Sequence, residues 1–130
     1  MENQSENQNS MEESENRIVL CGANSYEQKY YFNPSFGKLP ESIQQELQIL
    51  CVLFTEDVGG VLILEFSPEG SLEFRVEVHD QDYLFDEIGS ELKIRQYQRE
   101  KRELLESLEL FYQVFILGKE MPEFDGEKGV

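Results

Sequence analysis

The sequence predicts an α+β fold, a small antiparallel sheet packed by two helices. Three stretches carry that expectation. Residues 61–78, VLILEFSPEGSLEFRVEV, are two β-favouring runs on either side of a turn signature. Residues 39–60, LPESIQQELQILCVLFTEDVGG, keep their apolar side chains on one helical face. Residues 82–117 continue with apolar residues in steps of three and four, interrupted only by Gly89-Ser90.

The hairpin is the clearest element. Ser67-Pro68-Glu69-Gly70 suits a type I turn, with Pro in second place and Gly able to take a positive φ. A turn centred on Glu69 opposes Phe66 to Leu72, Leu64 to Phe74 and Leu62 to Val76, all on the core face. The other face of strands 61–66 and 72–78 carries Val61, Ile63, Glu65, Glu73, Arg75, Glu77 and His79. The second strand alternates strictly and has one wet side, whereas Val61 and Ile63 call for a cover. Lys29–Phe32, an aromatic run stopped by Asn33-Pro34, is a candidate further strand, and Arg17–Cys21 is another.

Helix 41–57 follows from Pro40 and Glu41, which suit a helix start, and from Ile43, Leu47, Leu50, Cys51, Phe54 and Val58 on one face. Gly59 or Gly60 ends it. The apolar run Ile49–Phe54 also fits a strand, but the stripe continues unbroken to Val58. Glu56 and Asp57 sit at the negative end of this helix and need compensation.

As one helix, 82–117 would be about 54 Å long, too long for a chain with a radius of gyration of ~13 Å. The expected break is Gly89-Ser90. It closes a short helix with Leu84, Phe85 and Ile88 inward and opens a long C-terminal helix, 91–117. The seam of the long helix is Ile94, Tyr97, Leu104, Leu108, Phe111 and Phe115, with Lys101 in the vacant slot. Its first third is more polar than its end and holds five of the eleven basic residues. Glu91–Arg95, Arg99–Glu103 and Arg102–Glu106 are expected to pair at i, i+4, and interleaved glutamates keep the net field small. This third is expected to overhang the sheet as a contact surface. The candidate surface is therefore Lys93, Arg95, Tyr97, Arg99, Lys101 and Arg102, together with Val61 and Ile63.

Composition bounds the rest. Asp and Glu number 27 against 11 Lys and Arg, a net charge of −16. Residues 17–130 still carry −11 without the five glutamates of the tail. Such a surface repels nucleic acid and anionic lipid, so neither direct nucleic acid binding nor a membrane is expected. Residues 1–16 read as a disordered acidic tail, 17–118 as one domain and 119–130 as a flexible end. The absence of a signal peptide pattern, an apolar span or paired cysteine spacing points to the cytoplasm.

Chemistry-bearing motifs are sparse. Asp80, Asp82 and Glu91 occupy calcium-loop positions, but Leu84 and Phe85 stand where an oxygen ligand and a glycine are required. A helix start is the better use for Asp80 and Asp82. DVGG lacks the Lys-Ser/Thr of a phosphate loop, so no cofactor is expected. Glu65, Glu73, Glu77 and the lone His79 form the one carboxylate and histidine cluster that the hairpin register assembles.

The phrases YYFNPSFGKLPESIQQELQILCVLFTEDVGG, LEF, YLFDEIGS and QREKREL resemble an uncharacterised family of small acidic bacterial proteins, over roughly residues 20–117. The resemblance implies a cytosolic single-domain protein and brings no activity or catalytic residues. The leading expectation is a non-enzymatic module that binds a protein partner or itself. The alternatives are an acidic mimic of nucleic acid, and a small enzyme or cation binder using the hairpin carboxylates.

Overall fold

A computed structural model describes residues 16–120. The acidic tail expected over 1–16 and the flexible end expected over 119–130 lie outside it, apart from Asn16, Lys119 and Glu120. The architecture is α+β, a four-stranded antiparallel sheet with helices packed on one face. Its strands are β1 (Ile18–Asn24), β2 (Lys29–Phe32), β3 (Val61–Phe66) and β4 (Leu72–Glu77), in the order β2-β1-β3-β4.

The hairpin register is the expected one: Phe66 opposes Leu72, Leu64 opposes Phe74 and Leu62 opposes Val76. Gly70 takes φ +92° and returns its N–H to the Ser67 carbonyl at 2.9 Å, closing the turn. The candidate strand at Arg17–Cys21 runs on to Asn24 and lies inside the sheet, between β2 and β3. Its register with β3 shifts between Val19 and Cys21, a bulge that leaves both Leu20 and Cys21 fully buried.

Helix α1 (Glu41–Val58) buries Leu47, Leu50, Cys51, Phe54 and Val58 against the face carrying Leu62, Leu64 and Phe66. The chain reverses after Val58 through Gly59 and Gly60, at φ +86° and +72°. A Cβ on Gly60 would lie 3.0 Å from both the Glu77 carbonyl and the Phe85 ring, so glycine is needed there for space as well as for φ.

The C-terminal half departs from expectation in three places. No helix forms over 82–86; α2 (Glu87–Glu100) begins directly after it, with the Asp86 carboxylate accepting from the Gly89 N–H at 2.9 Å. Asp86 is a better cap than Ser90 because its side chain reaches the free N–H groups from outside the helix, and Ser90 is buried within the first turn. Leu84 and Ile88, expected inward, are 94% and 74% exposed, and Phe85 alone is half-buried, beside Gly60.

The second departure is at Lys101, where the expected long helix bends into α3 (Arg102–Phe111). Lys101 stands in the seam slot that an apolar residue would fill. Its ammonium avoids the core by reaching Glu46 on α1, 3.1 Å away. The third is a π-turn over Tyr112–Ile116. The wider turn shifts the phase of the seam. Tyr112 enters the core, its ring 4.2 Å from Phe66 and parallel to it, and Phe115 turns out at 69% exposure.

Candidate interaction site at the free edge of the sheet

The residues of the basic segment 93–102 divide between two flanks of the continuous α2–α3 arm. On one flank, Lys93 pairs with Asp57 near the end of α1, and that carboxylate raises the Lys93 pKa. Asp57 thereby finds the compensation that the negative helix end requires. Tyr97 is buried, its ring 6.5 Å from that of Phe54 and its hydroxyl 3.5 Å from the Leu50 carbonyl. Lys93, Tyr97 and Lys101 thus hold α2 to α1.

The other flank carries Arg95, Gln98 and Arg99, continued on α3 by Arg102, Leu105, Glu106 and Glu109. Steps of three and four put them in one stripe. This stripe and the β4 residues Leu72 and Phe74 line a groove of about 630 Å³. Arg102 pairs with Glu106 at 3.0 Å. Among the described residues, Arg95 and Arg99 pair with no carboxylate.

The groove's second wall is a strand edge. Among the described residues, strand β4 pairs only with β3, which leaves its outer edge open there. Ser67 donates to the Ser71 carbonyl at 2.8 Å, and the next N–H, that of Leu72, donates sideways to Glu109 Oε2 at 2.7 Å. By the alternation of an antiparallel ladder, the N–H and C=O groups of Phe74 and Val76 also point away from β3.

Val61 and Ile63 lie on the opposite face of the sheet, half-buried. The shallow depression above them, about 560 Å³, is lined by residues of β1, β2, β3 and the β1–β2 loop, including Tyr31 and Gly22. Among the described residues, their cover comes from sheet neighbours and not from a helix.

Glu65 and Glu73 oppose each other across the hairpin as the register requires. Arg17 contacts both, and Arg75 reaches Glu65 at 3.1 Å and also binds Glu77. Burial lowers the Arg75 pKa, but the Glu65 and Glu77 carboxylates outweigh it and leave the guanidinium firmly charged. His79 is not part of this ladder. It lies past Glu77, where β4 ends, and stacks on Tyr26 with centroids 3.6 Å apart. The Tyr26 hydroxyl donates to Asp82 at 2.5 Å and accepts from the His79 N–H. Asp82 thus serves a turn and not a helix start. Among the described residues, no three His, Cys, Asp or Glu side chains are arranged to hold a metal ion.

Cys21 and Cys51 are buried with their sulfurs 3.8 Å apart. The hydrogen bond to Cys21, then burial, push the Cys51 thiol far up, so it stays protonated and unreactive. Among the described residues, no helix is long and apolar enough to cross a membrane.

Sequence reasoning placed Arg95, Arg99 and Arg102 on a contact surface but missed the strand edge that they face. Their spacing was legible as a stripe. Its meeting with β4 depends on β1 filling the centre of the sheet, which leaves β4 at the rim.

No curated protein and no solved structure matches this chain significantly. It does match the family of unknown function DUF6145 over residues 17–120, and it belongs to that family.

Proposed function

We propose that this protein is a non-enzymatic interaction module that holds a protein partner in the groove between β4 and the α2–α3 stripe. One observation carries the reading. In a chain with 27 acidic and 11 basic residues, two arginines have no carboxylate partner among the described residues and line a groove whose other wall is an open strand edge. Unpaired arginine beside exposed backbone donors and apolar floor residues is the composition of a protein-binding surface. The non-enzymatic part draws on the hairpin, where Glu65, Glu73 and Glu77 are each engaged by arginine, and on His79, which is stacked on Tyr26.

The nucleic acid mimic has less support. Six acidic side chains spread over both layers, among them Glu46, Asp57 and Glu106, are tied up in ion pairs and do not form one phosphate-like array.

The test is a cross-linking capture from the source lysate with wild type and the Arg95→Glu, Arg99→Glu double variant side by side. A partner whose capture falls at least about tenfold, roughly 1.4 kcal/mol, with an unchanged circular dichroism spectrum, supports the groove. Partners retained equally by both proteins count against it.

A further inference from the structure

This inference rests on the groove reading above and names the ligand that the groove would take. We propose that the occupant is an acidic segment of a protein partner in extended conformation, added to β4 as a fifth strand. Strand addition needs an exposed ladder of backbone groups, and β4 presents one: the N–H and C=O groups of Phe74 and Val76 face away from β3. At the turn end of the same edge, the Glu109 carboxylate already receives the Leu72 N–H at 2.7 Å. A carboxylate from within the chain therefore caps this edge where it begins, and the rest of the edge is left for a ligand.

The stripe across the groove specifies what the ligand's side chains are. Arg95 and Arg99 are one helical turn apart, a rise of about 6 Å. Alternate residues of an extended strand are about 6.8 Å apart and point to the same side. Two carboxylates at positions i and i+2 of an added strand thus meet the two guanidinium groups in turn, each pair capable of a two-point fork. Farther along, the floor changes to Leu105, Leu72 and Phe74. An apolar residue at i+4 of the ligand faces that floor. Arg102, already bound to Glu106, separates the two regions. Exposed Ile88 and Leu92 lie on the same helix flank, one to two turns before Arg95, and extend the surface beyond the acidic positions.

The net charge of −16 repels any acidic ligand at a distance. Attraction is local, because charges more than a Debye length of about 8 Å away are largely screened at physiological salt. A nucleic acid strand meets the same repulsion and cannot complete a backbone ladder, so the edge selects a polypeptide.

The experiment uses the full chain and a fluorescein-labelled peptide with the core Glu-Thr-Glu-Thr-Leu and blocked ends. A second peptide carries Lys for both Glu residues, and a third is N-methylated on the amides that would face β4. Fluorescence anisotropy reads affinity, and amide hydrogen exchange by NMR reads Phe74 and Val76. The expected result is binding of the first peptide with protection of both amides. Affinity then falls at least tenfold for the Lys peptide, for the N-methylated peptide and for R95E/R99E. Equal binding of the N-methylated peptide, with arginine dependence kept, overturns the strand and leaves the groove reading standing. No binding of the first peptide at any soluble concentration overturns the acidic strand. Affinity unchanged in R95E/R99E overturns both readings. Protection of Phe74 and Val76 in the free monomer assigns the edge to a terminal segment of this chain, and concentration-dependent protection assigns it to a second copy; either result overturns the partner strand.

Discussion

Tyr30 shows how tightly the sheet and α1 are closed around one another. Among the described residues, its buried hydroxyl has no oxygen or nitrogen partner, and the Cys21 and Cys51 thiols beside it offer at most a weak sulfur contact. Sulfur is a weak acceptor, so the oxygen keeps most of its desolvation cost. An unsatisfied buried group of this kind costs about 1–3 kcal/mol. Tyr30→Phe removes the oxygen and keeps the ring, and it is expected to raise unfolding stability by about 1 kcal/mol. Urea denaturation measures it. A loss of stability would mean that the hydroxyl has a partner in solution.

At the scale of elements, the start of α2 governs the groove, because the orientation of Arg95 and Arg99 follows from where this helix begins. Asp86 sets that point through its bond to the Gly89 N–H. Gly89 also leaves room for the carboxylate, since a Cβ there would lie 2.2 Å from Asp86 Oδ2. Asp86→Ala is expected to cost about 1 kcal/mol and Asp86→Asn much less, the hierarchy of a helix cap. Thermal unfolding of the two variants separates the cap from a mere charge effect, in which Asn would fail as badly as Ala. This element also marks the limit of what the sequence disclosed. The hairpin was legible to the residue because alternation and the turn are local signals. Helix α1 was legible for the same reason, its stripe running from Ile43 to Val58. The seam of the long helix was read without its breaks. Lys101 bends it because Glu46 waits on another element, and the π-turn exists because the Tyr112 ring fits against Phe66. Both causes are tertiary and leave no local trace. The candidate site divided along the same line, since a stripe is a property of one helix and a free edge is a property of the whole sheet.

The whole molecule is defined by the joining of its two layers, and aromatic residues do much of the joining. Tyr112 stacks on Phe66 of β3, and Tyr97 lies against Phe54 of α1. Tyr30 of β2 packs against the same core. Burial raises the pKa of all three phenols above the ordinary value of 10.0. The unfolded chain releases those protons near pH 10, whereas the folded chain resists. A raised folded-state pKa means that the protonated form favours folding. The stabilisation is therefore fully present below about pH 10 and is lost as pH climbs toward the folded values. Lys93, raised by its bond to Asp57, acts in the same direction. Each phenolate formed also adds to a net charge already at −16, so self-repulsion grows in the same range. The protein is expected to unfold cooperatively above pH 10, with the tyrosinate forms of Tyr30, Tyr97 and Tyr112, followed residue by residue by NMR, appearing together with the loss of helical circular dichroism. Tyr31 and Tyr83 are exposed and do not report on the layers. Urea midpoints should hold steady up to about pH 9 and fall steeply beyond pH 10. Tyrosinate forming gradually at Tyr30, Tyr97 and Tyr112 while the helices persist would show that these rings reach solvent in the folded state, and that the layers are joined less tightly than the stacking of Tyr112 on Phe66 implies.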